Sequence, residues 1–146
     1  MIWSGGDNDE LRRLDAFATA FVAAASTDRS RNVEGVKSFP RGSCTWASFA
    51  GDELLREAGL GEWTLWNAST LEGMPRHDWL VRDDLFLDLT AHQHARFDQP
   101  LVGLGTNPLE ERYPTLLGLH PTSEIWAWPG ALVWKAVLED VMAEHP

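Results

Sequence analysis

The stretch that most limits how this chain can fold is His77-Asp78-Trp79-Leu80-Val81-Arg82, then Asp83-Asp84, then Leu85-Phe86-Leu87-Asp88-Leu89-Thr90. Two apolar runs rich in strand-forming residues, parted by two turn formers, spell an antiparallel hairpin. A turn centred on Asp83 and Asp84 sets Trp79 opposite Asp88 and His77 opposite Thr90. Because successive side chains alternate, His77, Trp79, Val81, Phe86, Asp88 and Thr90 then share one face, with His77 and Asp88 as diagonal neighbours. A slip of one residue would turn every one of them to the other face. An aspartate inside so apolar a strand needs a partner, and His77 is the best one available.

Around the hairpin the pattern is helical at both ends. Leu11, Leu14, Ala18, Phe21 and Ala25 recur at helical spacing within Asp7–Ser26, and Asp7, Asp9 and Glu10 sit where the helix dipole favours negative charge. Thr27–Lys37 is polar and reads as a loop, followed by turn formers up to Ser43. A second helix is expected over Cys44–Ala58, with Ser43 as N-cap, Gly59 as the stop, and Cys44, Ala47, Gly51, Leu54, Leu55 and Ala58 on one face. Small residues near its start (Ala47, Ser48, Ala50, Gly51) would let it lie close to a sheet. Further strands are expected at Trp63–Ala68 and Pro100–Leu104, and a short helix with a loop at Asn107–Leu117. A last helix over Ala131–Glu144 would carry Leu132, Val133, Ala136, Val137 and Val141. Helices outside a short antiparallel sheet make an α+β fold, and 146 residues suit one domain over 1–146.

The formal charge of −10 argues against nonspecific nucleic-acid binding, which needs Lys and Arg to displace counterions, and would tolerate or attract basic partners. One cysteine allows no internal disulfide and fits a reducing, cytoplasmic setting. The first ten residues lack a basic segment followed by an apolar run, so no signal peptide is expected. No stretch has the roughly 20 apolar residues that span a bilayer, so no membrane partner is expected either. Eight tryptophans suggest a core or cleft built with large rings.

Cys44 follows a Gly-Ser turn and opens a helix, where the dipole and free amide N–H groups favour a thiolate and supply part of an oxyanion hole. The plainer role for a lone cysteine is a small buried hydrophobe. His77 held by Asp88 tips the balance, because an imidazole oriented by a carboxylate can serve a nucleophile as base.

Gly42-Ser43-Cys44-Thr45-Trp46-Ala47, then His77-Asp78-Trp79, then Asp88-Leu89-Thr90 resembles the Cys, His-x-Trp and Asp-x-Thr signature of the transglutaminase-like branch of the papain fold. Phe39-Pro40-Arg41 before it and Ala91-His92-Gln93 after it extend the likeness toward small bacterial and phage members of that superfamily. The resemblance implies a nucleophile helix packed on a short antiparallel sheet, flanked by helices. It implies Cys44 as nucleophile, His77 as base, Asp88 as the group orienting that base, and Ser43, Trp46 and Trp79 against the substrate. A thioacyl intermediate on a peptide or protein substrate, a basic one where the net charge guides it, resolved by water or by an amine, would make the chain a peptidase, deamidase or transglutaminase-type enzyme without a cofactor. Lys37 and Ser38 stand where such enzymes keep an upstream glutamine, and Asp78 and His94 replace a small and an aromatic residue.

Two other readings compete. The scaffold can serve as a non-catalytic binding, immunity or adaptor module. Cys44, His77, His92 and His94 can also be read as zinc ligands, but the chain has one thiolate and no Cys-x-x-Cys or His-Glu-x-x-His spacing. No metal is therefore expected, and His92-Gln93-His94 is read as a strand end beside the cleft. His120 falls in an expected loop, His145 near the terminus has no visible role, and Trp126, Trp128 and Trp134 are expected in the core.

Overall fold

Strand alternation divides the apolar residues of the hairpin into two sets, and each set recruits its own cover. The computed structural model describes residues 5–121 and 129–144. Among the described residues four helices, α1 (Gly5–Ala25), α2 (Asp28–Arg31), α3 (Cys44–Glu57) and α4 (Pro129–Glu144), accompany five strands. These are β1 (Thr64–Ser69), β2 (Arg76–Arg82), β3 (Leu85–Asp88), β4 (Leu101–Leu104) and β5 (Thr115–Pro121), with 3-10 turns at Ala91–Gln93 and Pro108–Glu111. The sheet runs β4-β3-β2-β1-β5 with every neighbouring pair antiparallel, an α+β architecture.

The hairpin has the expected register: Leu80 pairs with Leu87, Val81 with Phe86 and Arg82 with Leu85 around Asp83-Asp84. Asp83 takes φ 53°, in the left-handed region that aspartate tolerates better than most residues. Leu80, Leu85 and Leu87 consequently face the main core, with Leu14, Ala18, Phe21, Leu54, Leu55 and Trp134 from the helices. Trp79 and Phe86 face the other way, into a second cluster with Ala68, Ala91, Leu109 and Tyr113. Both sheet faces are therefore covered.

Helix α3 lies against β2 because small residues let it. A Cβ on Gly51 would stand 2.5 Å from Leu89 Cδ1 and 3.5 Å from Leu80 Cδ1, so even alanine would force the Leu89 side chain to move. No helix among the described residues is long and apolar enough to cross a membrane.

Several local expectations need correction. Asp28–Arg31 within the expected loop is a short helix, because Thr27 Oγ1 accepts a hydrogen bond from the Ser30 amide and caps it. Ser43 stands at the N-cap of α3, but its hydroxyl donates to the Arg41 carbonyl (3.2 Å) and makes no side-chain cap. Past Asn107 the chain forms a 3-10 turn and then strand β5, which includes His120. His92 and Gln93 lie in a 3-10 turn with His94 as its C-cap, not on a strand end. In α4 the buried residues are Ala131, Trp134, Leu138 and Val141, while Leu132 and Val133 are exposed. Trp126, Trp128 and His145 lie outside the described residues.

Candidate active site

Strand β3 ends where Asp88 turns its carboxylate back on the chain. Oδ1 accepts the Thr90 amide (3.2 Å), which closes the ladder and starts the 3-10 turn Ala91–Gln93. Oδ2 meets His77 Nε2 at 2.8 Å and also accepts from Asn107 Nδ2 at 3.0 Å. Asn107 Oδ1 in turn accepts the Leu109 amide (2.9 Å), so the residue capping the Pro108–Glu111 turn also fixes Asp88. Asp88 is fully buried, as are His77 and Asn107, and three donors surround its carboxylate.

The 3-10 turn brings Gln93 under the imidazole, its Nε2 3.1 Å from His77 Nδ1. Nε2 is taken by Asp88, and the Cys44 thiol lies near enough to the imidazole to help raise its pKa. Burial alone would push the His77 pKa down, but the Asp88 charge and hydrogen bond, aided by Cys44, outweigh it and raise the value to about 10. When Asp88 accepts from Nε2–H, a neutral His77 presents a lone pair at Nδ1 to the Gln93 amide. A protonated His77 carries Nδ1–H instead. Three rings enclose the imidazole: Trp79 at 5.6 Å, Tyr113 at 5.3 Å and His94 at 5.0 Å between centroids.

The start of α3 is held from the opposite face of β2. Asp78, also buried, accepts from Thr45 Oγ1 on α3 and from Asn67 Nδ2 on β1. Cys44 and Thr45 are consecutive, as are His77 and Asp78, so this clamp ties the start of α3 to the strand that carries His77. Asp78 thus has a structural task.

The structure brings Cys44, His77 and Asp88 together. Ser43 and Trp79 are buried and offer no open surface to a substrate. Trp46 is half-buried and packs toward α4, its ring 6.3 Å from Trp134. His92 sits with its ring 5.6 Å from Phe39, both nitrogens buried without hydrogen bonds, and burial lowers its pKa. His94 Nε2 is 2.8 Å from the Tyr113 hydroxyl, and burial and then the His77 charge lower its pKa. Among the described residues no three His, Cys, Asp or Glu side chains converge as metal ligands. Gln93, Asn107 and Tyr113 were not legible as site residues. Only the Asn-Pro pair at 107–108 is a local signal, and it marks a turn rather than a contact with Asp88.

No family model matches the sequence, and no curated protein and no solved structure matches it.

Proposed function

We propose that this chain is a thiol-dependent acyl-transfer enzyme on a papain/transglutaminase-like scaffold, with Cys44, His77 and Asp88 as its catalytic triad. The observation that carries this reading is the buried pair of His77 Nε2 and Asp88 Oδ2 at 2.8 Å, with the Cys44 thiol near enough to act on the same imidazole. A buried carboxylate on one imidazole nitrogen fixes the tautomer, stabilises the imidazolium and aims the second nitrogen at the nucleophile.

The thiolate attacks the acyl carbon and a C–S bond forms. The carbonyl electron pair moves onto oxygen, and the amide N–H groups opening α3 serve as its oxyanion donors in this reading. His77 Nδ1–H gives its proton to the leaving amine as the C–N bond breaks, leaving a thioacyl enzyme and a neutral imidazole. That imidazole then takes a proton from water or from an acceptor amine, which attacks the thioester. The acid or the new amide departs, the sulfur leaves as thiolate and His77 is an imidazolium again.

Incubation with an activated ester such as p-nitrophenyl acetate tests this reading. The expected result is one acyl group per chain, mapped by mass spectrometry to Cys44, with a burst of nitrophenolate that Cys44→Ser lacks. Acylation spread over lysines, with no burst, would rule the nucleophile out.

A further inference from the structure

Beside the imidazole a hollow of about 590 Å³ opens between the turn at Gln93–Arg96 and the turn at Pro108–Arg112. Gln93 links it to the triad, since this residue is in its wall and contacts His77 Nδ1. Its charged lining is Arg96, Arg112 and Glu111. Glu111 is taken by Arg96 at 3.2 Å. Arg112 donates from Nε to the Tyr113 hydroxyl (3.3 Å) and lies over the Tyr113 ring, 5.6 Å from its centroid. That anchoring leaves its two terminal nitrogens free of any carboxylate among the described residues. Tyr113 itself stacks on His77 at 5.3 Å, so the guanidinium is one ring away from the base. The Arg112 charge also reaches His94, where it is one of the influences that lower the pKa.

A net positive lining is notable on a chain of charge −10, which at large repels anions. Screening over about 8 Å at physiological salt makes the local arginines, not the total, decide what binds there. A planar guanidinium with both outer nitrogens open matches a carboxylate in two-point geometry.

We propose that this hollow is a carboxylate-recognition subsite, with Arg112 as its anchor, which selects acyl donors bearing an anionic group next to the bond attacked by Cys44. The inference rests on the acyl-transfer reading and names its substrate class. That class is opposite in sign to the basic substrate that net charge alone suggests. The carboxylate is either an acidic side chain or a chain terminus, and three small probes separate these: N-acetylglutamate α-amide, N-acetylglutamine and N-acetylglutamine α-amide.

Each probe is added while Cys44 is alkylated with iodoacetamide. One of the two carboxylate probes is expected to slow alkylation about tenfold relative to the uncharged amide at millimolar concentration. That ratio should fall to near one in Arg112→Gln and be partly restored in Arg112→Lys. Equal protection by all three probes, or a ratio unchanged in Arg112→Gln, overturns the subsite while leaving the triad intact. Calorimetry of the same probes with Cys44→Ala reads the hollow without the nucleophile. Carboxylate-dependent binding that Arg112→Gln abolishes supports the subsite even where the thiol proves inert, and equal heats for charged and uncharged probes count against it.

Discussion

Asp88→Asn is expected to lower acyl-transfer activity by about a thousandfold or more while leaving the fold in place. The substitution keeps size and shape, but of the two oxygens that meet His77 Nε2, Asn107 Nδ2 and the Thr90 amide only one remains an acceptor. What it removes is the negative charge. Burial alone pushes the His77 pKa down, and the Asp88 charge is the largest influence opposing it. Without that charge the imidazole is neutral at working pH and no imidazolium stands beside the thiol to donate to the leaving group. An Asn amide that turns its Nδ2 toward Nε2 also favours the wrong tautomer. Steady-state kinetics with the ester used for acyl capture, beside thermal unfolding of the same variant, separates lost chemistry from lost structure. A loss of only a few-fold, in a variant that still folds, would mean that Asp88 is a structural anchor and not the orienter of a base.

The second large effect is on stability, and its sign follows from the direction of the His77 shift. The folded-state pKa is about 10 and the unfolded reference is 6.5, so the native chain holds a proton that the unfolded chain releases in between. This contribution is fully present below about pH 6.5 and is lost as pH rises through the folded value. Over that window each unit of pH removes at most about 1.4 kcal/mol. His92 and His94 act in the opposite sense, since their pKa values are lowered by burial: their contribution is present above about 6.5 and falls as acid charges the imidazoles. Urea unfolding midpoints are therefore expected to fall between pH 7 and 10, and His77→Gln should flatten that alkaline slope. An alkaline slope that is the same in His77→Gln would show that His77 holds no proton in the native state.

How much of this was legible in the sequence depends on whether a contact leaves a periodic trace. The hairpin did: two acidic turn residues between alternating apolar runs fix the register, and with it which face His77 and Asp88 share. The α3 start and its close approach to the sheet also left a trace, in the run of small residues and in Gly51. Strand β5 left none. Its Leu116, Leu117 and Leu119 are exposed, Gly118 sits inside it, and it joins β1 by main-chain bonds across a register shift, so burial imposes no alternation. The same holds for Gln93, Asn107 and Tyr113, which reach His77 or Asp88 from turns far along the chain. Their contacts arise from where the Asp88 and Asn107 side chains bend the backbone. In α4 helical periodicity and a core Trp134 were visible, but with that wide ring among Phe21, Phe39 and Trp46 the inner face runs through Ala131, Leu138 and Val141 and leaves Leu132 and Val133 exposed.

The measurement that tests the triad most directly is the rate of Cys44 alkylation by iodoacetamide from pH 4 to 10, in the wild type and in His77→Ala. An imidazolium beside the sulfur favours thiolate, so alkylation in the wild type should already be fast near pH 6, well below the ordinary thiol value of about 8.5. In His77→Ala the rate at pH 6 should drop at least tenfold, and the profile should move up toward that of a free thiol. Superimposable profiles rising only near pH 8.5, or a thiol that stays unreactive throughout, would contradict a triad at Cys44, His77 and Asp88.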